Sequence, residues 1–290
     1  MPRRKLFTRG GGHGPVRAAV SAAAPSGSSG AASLPRASSS KLDAREAGLI
    51  AVLLGLAAAS WVFNSAQMSG MDMGRWTDPG PLGFFAATWV VMLAAMMFPS
   101  VAPMVIAYDR IHSHRRRMGR YAPPGSTAVF VAGYLVSWTA FGVVAYSLYA
   151  LAAAQSPGIF ASDQGGRYLA AGGIMLAAVY QLTPAKNVSL MKCRTPMDFI
   201  LHRMRHGYIG ALRMGVEHGA WCVACCWALM VALFALGVMS IGWMAVIGAF
   251  IAGEKMLPWK RLASRSVAVA LAVIALSIAL TPAATDGMGM

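Results

Sequence analysis

The spacing of charges constrains this chain more than any other feature. Six apolar stretches contain no Asp, Glu, Lys or Arg: residues 47–71, 79–108, 121–162, 168–185, 219–253 and 266–285. Roughly 20 apolar residues in a helix cross a hydrocarbon core of about 30 Å. Four of the stretches hold one such helix each. The third holds one over 126–154, trimmed by Pro123-Pro124-Gly125 and Ser156-Pro157-Gly158. The fifth is too long for one span and is broken at Gly237-Val-Met-Ser-Ile-Gly242, so it reads as two helices and a tight turn. Only 12% of the 290 residues are charged, about half the share of a soluble globular chain. The expected fold is therefore all-α, a polytopic transmembrane bundle of about seven helices. They are placed near residues 47–67, 82–107, 126–154, 168–185, 212–237, 241–256 and 265–283.

The net charge of +15 raises the question of nucleic acid, which the distribution of charge answers. Eight Lys/Arg precede the first helix, five lie in 109–120, five in 186–205 and four in 255–265, while the alternate loops hold only Arg75 and Arg167. Basic loops on every second side follow the positive-inside rule. The expected partner is the lipid bilayer of a bacterial inner (plasma) membrane and not a nucleic acid. The N-terminus is then cytoplasmic and the C-terminus external. Residues 1–44 are rich in Ala, Ser, Gly, Pro and Arg, a composition expected to be disordered, and 45–285 form the helical domain. Residues 286–290 are a short external tail.

The strongest chemical cluster lies in the fifth helix: Glu217-His218-Gly-Ala-Trp221-Cys222-Val-Ala-Cys225-Cys226. A step of about 100° per residue puts His218, Cys222 and Cys225 within a narrow arc, with Cys226 beside it. Imidazole and thiolates in line suit Cu(I), with Zn(II) or an iron–sulfur unit as other candidates. Cysteine also packs well as a small apolar residue, but three of the chain's four within five residues favour a site. Glu217 is costly at membrane depth, unless it pairs with Arg213 at the helix end.

Methionine forms two further clusters. Met92 and Met96 share a face of the second helix, whose Pro99 and Pro103 remove backbone donors and are expected to kink it. The external loop Met68-Ser-Gly-Met71-Asp-Met73 places three thioethers where burial gives them no benefit. Such loops resemble the capture motifs of copper-handling proteins. Methionine outside and cysteine within or inside suits a compartment that oxidises thiols. Cys193, between Lys192 and Arg194, is the remaining thiol. Glu254-Lys255 reads as a capping or snorkelling pair at the end of the sixth helix. Both are secondary functional candidates.

Two motif blocks carry a family resemblance. The first joins Met71-Asp-Met-Gly-Arg-Trp76 to Trp89-x-x-Met92-x-x-Ala95-Met96-Met97-x-Pro99-Ser100-x-x-Pro103-Met104. The second runs Gly215-x-x-His218-Gly-x-x-Cys222-x-x-Cys225-Cys226-Trp227, then Trp243-Met244 and Glu254-Lys255. They resemble the domain of unknown function 2182 family, predicted metal-binding integral membrane proteins sometimes labelled copper chaperones. The resemblance covers residues 45–283.

The leading expectation is a protein that binds, transfers or transports Cu(I). Met68, Met71 and Met73 capture the ion, and Met92 and Met96 relay it to His218, Cys222, Cys225 and Cys226. An apo-cuproprotein or a soluble metal carrier is the expected partner. Two other readings stand beside it: a thiol–disulfide redox protein using Cys222 with Cys225 or Cys226, and a structural or assembly subunit. No hydrolytic triad or phosphate-binding loop stands in a suitable context, so enzymatic activity is not the expectation.

Overall fold

The computed structural model describes residues 44–68, 80–155, 163–195, 200, 205–237, 240–257 and 260–281. Met71 and Met73 fall outside these residues, as do the N-terminal tail and the last nine residues. Met68 closes a described helix, but its side chain is outside the description.

All regular structure among the described residues is helical. The helices are α1 (Ala44–Met68), α2 (Leu82–Arg117), α3 (Ser126–Gln155), α4 (Asp163–Gln181), α5 (Pro184–Arg194), α6 (Gly207–Leu236), α7 (Ile241–Met256) and α8 (Lys260–Leu280). Five are long and apolar enough to cross a membrane, and a sixth span exists if α4 and α5 count as one bent element. At a rise of 1.5 Å per residue the 16-residue α7 is about 24 Å long, short of a full crossing. Outward-facing side chains agree with lipid. Val144, Leu148 and Leu151 on α3, and Val269, Val273, Leu276 and Leu280 on α8, form exposed stripes at helical spacing, which water would not tolerate at this extent.

Two helices depart from the sequence reading. α2 continues through the basic segment to Arg117, because Arg and His are compatible with a helix and no breaker arrives before Gly119, whose φ is +68°. A helix not expected from hydropathy, α5, follows α4 after a 69° bend. Its start is local chemistry: Pro184 occupies the first turn, where its missing N–H costs nothing, and the Thr183 side chain caps Lys186 N at 3.3 Å.

The two prolines of α2 do not interrupt it. Pro99 cannot donate to the carbonyl of Ala95, and the indole Nε1 of Trp61 on α1 donates to that oxygen instead at 3.1 Å. The freed acceptor thus becomes a tie between helices, which is how buried carbonyls are kept satisfied in apolar surroundings.

α3 and α6 approach most closely. A Cβ at Gly215 would stand 2.0 Å from the carbonyl of Phe130, and one at Gly133 would stand 2.3 Å from the carbonyl of Leu212. The two backbones touch at both points, so only glycine fits. Ser137 Oγ donates to Val216 O at 2.8 Å in the same seam. This contact fixes the rotation of α6, which leaves Cys222 against Tyr134 of α3 and Lys255 of α7, and Cys225 against Cys193 of α5.

Candidate metal centre

Cys222 and Cys225 project from the buried side of α6, each 1% exposed. α5 brings Cys193 to them. The three Sγ atoms all lie within 4.8 Å of one another, and Cys225 Sγ is 3.8 Å from Cys193 Sγ. All four cysteines are free thiols. Among the described residues no other His, Cys, Asp or Glu joins this group. Three sulfurs suit Cu(I), whereas Zn(II) is almost always held by four ligands in structural sites.

His218 and Cys226 are not members of the trio. His218 is buried one turn before Cys222, with its ring centroid 6.1 Å from those of Phe130 and Tyr134. Cys226 is 1% exposed and donates to the carbonyl of Cys222 at 2.9 Å. Residues sharing an arc on a helical wheel share a ligand only if a neighbouring helix closes over that arc. Here the neighbour facing His218 is the aromatic side of α3.

The surroundings of the thiols are polar. Tyr134 OH lies 3.2 Å from Cys222 Sγ, and Lys255 Nζ lies 3.0 Å from the same sulfur and 3.2 Å from Ser100 Oγ. The hairpin of α6 and α7 explains the second contact. Cys222 and Lys255 both stand fourteen residues from the turn that joins these helices, and so meet at equal depth. At 1.5 Å per residue that depth is about 21 Å.

Glu254 and Lys255 do not behave as a capping or snorkelling pair. The Glu254 carboxylate is 2% exposed and accepts from Lys186 Nζ at 2.7 Å, while Lys186 is itself only 1% exposed and also donates to the carbonyl of Cys225. Lys186 therefore belongs to the protein interior, not to a solvated basic loop. No carboxylate among the described residues pairs with Lys255, whose ammonium faces the sulfur of Cys222. Glu217 pairs with Arg205 at 3.2 Å, and not with Arg213, in a solvent-accessible ion pair.

Met92 and Met96 are 2% and 3% exposed on α2. Met96 stands one turn before Ser100, the hydroxyl that meets Lys255, and it packs close to Gly248 of α7. Met96 is thus adjacent to the surroundings of the thiols along α2. Sequence reasoning passed over Ser100, Tyr134 and Lys186. Ser100 carried a signal in its place between two prolines. Lys255 was legible from equal distances to the turn. Tyr134 carried none.

An apolar helical chain with three thiols gathered between helices, two of them buried, belongs to the class of membrane-type metal-handling proteins. A model of the PpoB2 family, described as copper chaperone, matches residues 86–278. The chain belongs to that family, a copper-related one, as the motif resemblance implied. No curated protein and no solved structure gives a significant match.

Proposed function

We propose that this protein binds Cu(I) at a three-thiol centre formed by Cys193, Cys222 and Cys225 within a bacterial inner membrane, and passes it to a cuproprotein or soluble carrier. The observation that carries the reading is the convergence of three thiols from two helices within 4.8 Å, in a chain of a copper-chaperone family. Three thiolates around a monovalent ion leave a charge of −2, and the ammonium of Lys255 at 3.0 Å offsets part of it where water cannot. Met92 and Met96 are neutral soft donors on the approach through α2. Met68, Met71 and Met73 are read as capture ligands on the external side. His218, Cys226 and Glu217 support the centre by packing and charge. The orientation follows the alternation of basic loops, with the N-terminus in the cytoplasm.

The test is anaerobic titration of purified protein with Cu(I), followed by X-ray absorption. The expected result is one ion with sulfur-only coordination, lost in Cys222→Ser and Cys225→Ser. A nitrogen neighbour would bring His218 into the centre in place of Cys193. Full retention of copper in the double variant would overturn the reading. The 3.8 Å approach of Cys193 and Cys225 favours this pair for the competing thiol–disulfide reading. That reading predicts reversible two-electron oxidation of Cys193 and Cys225, and no retained copper.

A further inference from the structure

Cys193 differs from its two partners in access. Cys222 and Cys225 are each 1% exposed, whereas Cys193 is part-exposed at the C-terminal end of α5. Elsewhere the centre is closed. Tyr134 and Lys255 cover Cys222, and Cys225 donates to the carbonyl of Cys222 at 3.1 Å within its own helix. The cations flanking Cys193 are also unlike each other. Arg194 is held by the carbonyls of Glu254 and Leu257. Lys192 is exposed and rests over the ring of Trp221, 3.8 Å from its centroid. A cation–π contact holds an ammonium in place without neutralising it. The sulfur that an outside reagent meets first therefore stands beside a positioned, unneutralised positive charge.

We infer that Cys193 is the exchange ligand of the centre, through which Cu(I) passes between the centre and an anionic thiolate complex that Lys192 steers onto it. The inference rests on the reading of the three thiols as a Cu(I) centre. In the exchange step the sulfur of Cys193 adds to the carrier-bound ion with its own electron pair. The bond from copper to the carrier's sulfur then breaks, and that electron pair leaves with the carrier's thiolate, which takes up the proton released by Cys193. Copper remains Cu(I) throughout, so no oxidant or reductant takes part. Cys225, 3.8 Å from Cys193, then receives the ion inward, and Cys222 completes the set. Opposite charges raise encounter rates, and salt removes the gain.

The experiment uses the full chain in nanodiscs under anaerobic conditions. Cu(I) is supplied as its glutathione complex, which is anionic, or its cysteamine complex, which is cationic. With glutathione as donor at low salt, Lys192→Glu should slow uptake about tenfold while the copper finally bound is unchanged. With cysteamine as donor the same variant should not be slower, and at high salt the two proteins should converge. A membrane-impermeant maleimide should modify Cys193 before any other thiol in the apo protein, and bound Cu(I) should protect it. Cys193→Ala should slow uptake from glutathione and remove the effect of Lys192→Glu. The route is overturned if Cys222 or Cys225 reacts with the maleimide as fast as Cys193. It is overturned too if Lys192→Glu leaves both donors unchanged or slows them equally. If the wild-type protein retains no Cu(I) from either donor, the copper reading of the centre fails and the route falls with it. Retention with unchanged rates removes the route alone.

Discussion

Two polar regions in this bundle are built from similar residues and differ in charge balance. Near the start of α1, Arg45 meets Asp109 of α2 at 2.8 Å, and the next residue of each helix pairs with the sign reversed, Glu46 with Arg110. Thr127 of α3 adds a hydrogen bond to Asp109 at 2.8 Å. Each acid faces an arginine, and the arginines are about half exposed. At the thiol centre, Lys186 and Glu254 cancel in full burial, but among the described residues Lys255 has an ammonium bonded to Ser100 and Cys222 and to no carboxylate. The two crossed pairs of the first region work as a clasp between helices. A part-buried ammonium held against a buried sulfur is complementary to an anion, and a thiolate–copper unit is anionic. The comparison separates a structural polar site from a binding one by charge count, where composition alone would class them together.

The sharpest way to break this contrast is to remove a thiol. Cys222→Ser or Cys225→Ser should lower Cu(I) affinity by more than the roughly 10- to 100-fold that an outer-shell partner contributes, as read by competition with a colorimetric chelator. Asp109→Asn should leave the affinity unchanged. An equal loss in both would end the distinction.

Next in size is the buried pair. Glu254→Gln leaves Lys186 buried beside a neutral amide and should destabilise the fold by about 3–5 kcal/mol, measured by thermal unfolding in detergent. A Lys186→Met/Glu254→Leu double variant should recover most of that stability, because an apolar pair of similar volume removes both desolvation costs. If the double variant also binds copper normally, the pair serves only as a strut.

Lys255→Met tests the excess charge itself. Copper affinity should fall about 10- to 100-fold with little change in thermal stability, and Lys255→Arg should restore part of the loss. An unchanged affinity would remove Lys255 from the centre.

The smallest effect is expected at the balanced clasp. Arg45 is 56% exposed, so solvent screens its pair, and Arg45→Ala should cost no more than about 1 kcal/mol. Copper binding should be unaffected.

How much of this was legible beforehand depended on the range of the interactions concerned. The charge-free runs marked where the helices lie, because hydropathy and breakers such as Pro184 and Gly237 act within a few residues. They also located the helix that carries three of the four cysteines. The basic segment 109–120 was misjudged as a loop, since charge ends a membrane span without ending a helix. The grouping of the thiols was less legible. A helical wheel grouped His218 with Cys222 and Cys225, but could not say which neighbouring helix faces that arc.

What this sequence determined by itself is therefore an all-helical, apolar architecture, and a thiol-bearing helix within it, because both are encoded in local periodicity. The tertiary structure decided the third thiol and the charge partners. Cys193 is 32 residues from Cys225 and reaches it only because α5 turns through 69°. Lys255 is 33 residues from Cys222 and meets it only because α6 and α7 close as a hairpin in one register. A bend angle and a helix rotation set by glycine contacts at Gly133 and Gly215 are properties of packed surfaces, and no window of sequence contains both surfaces at once.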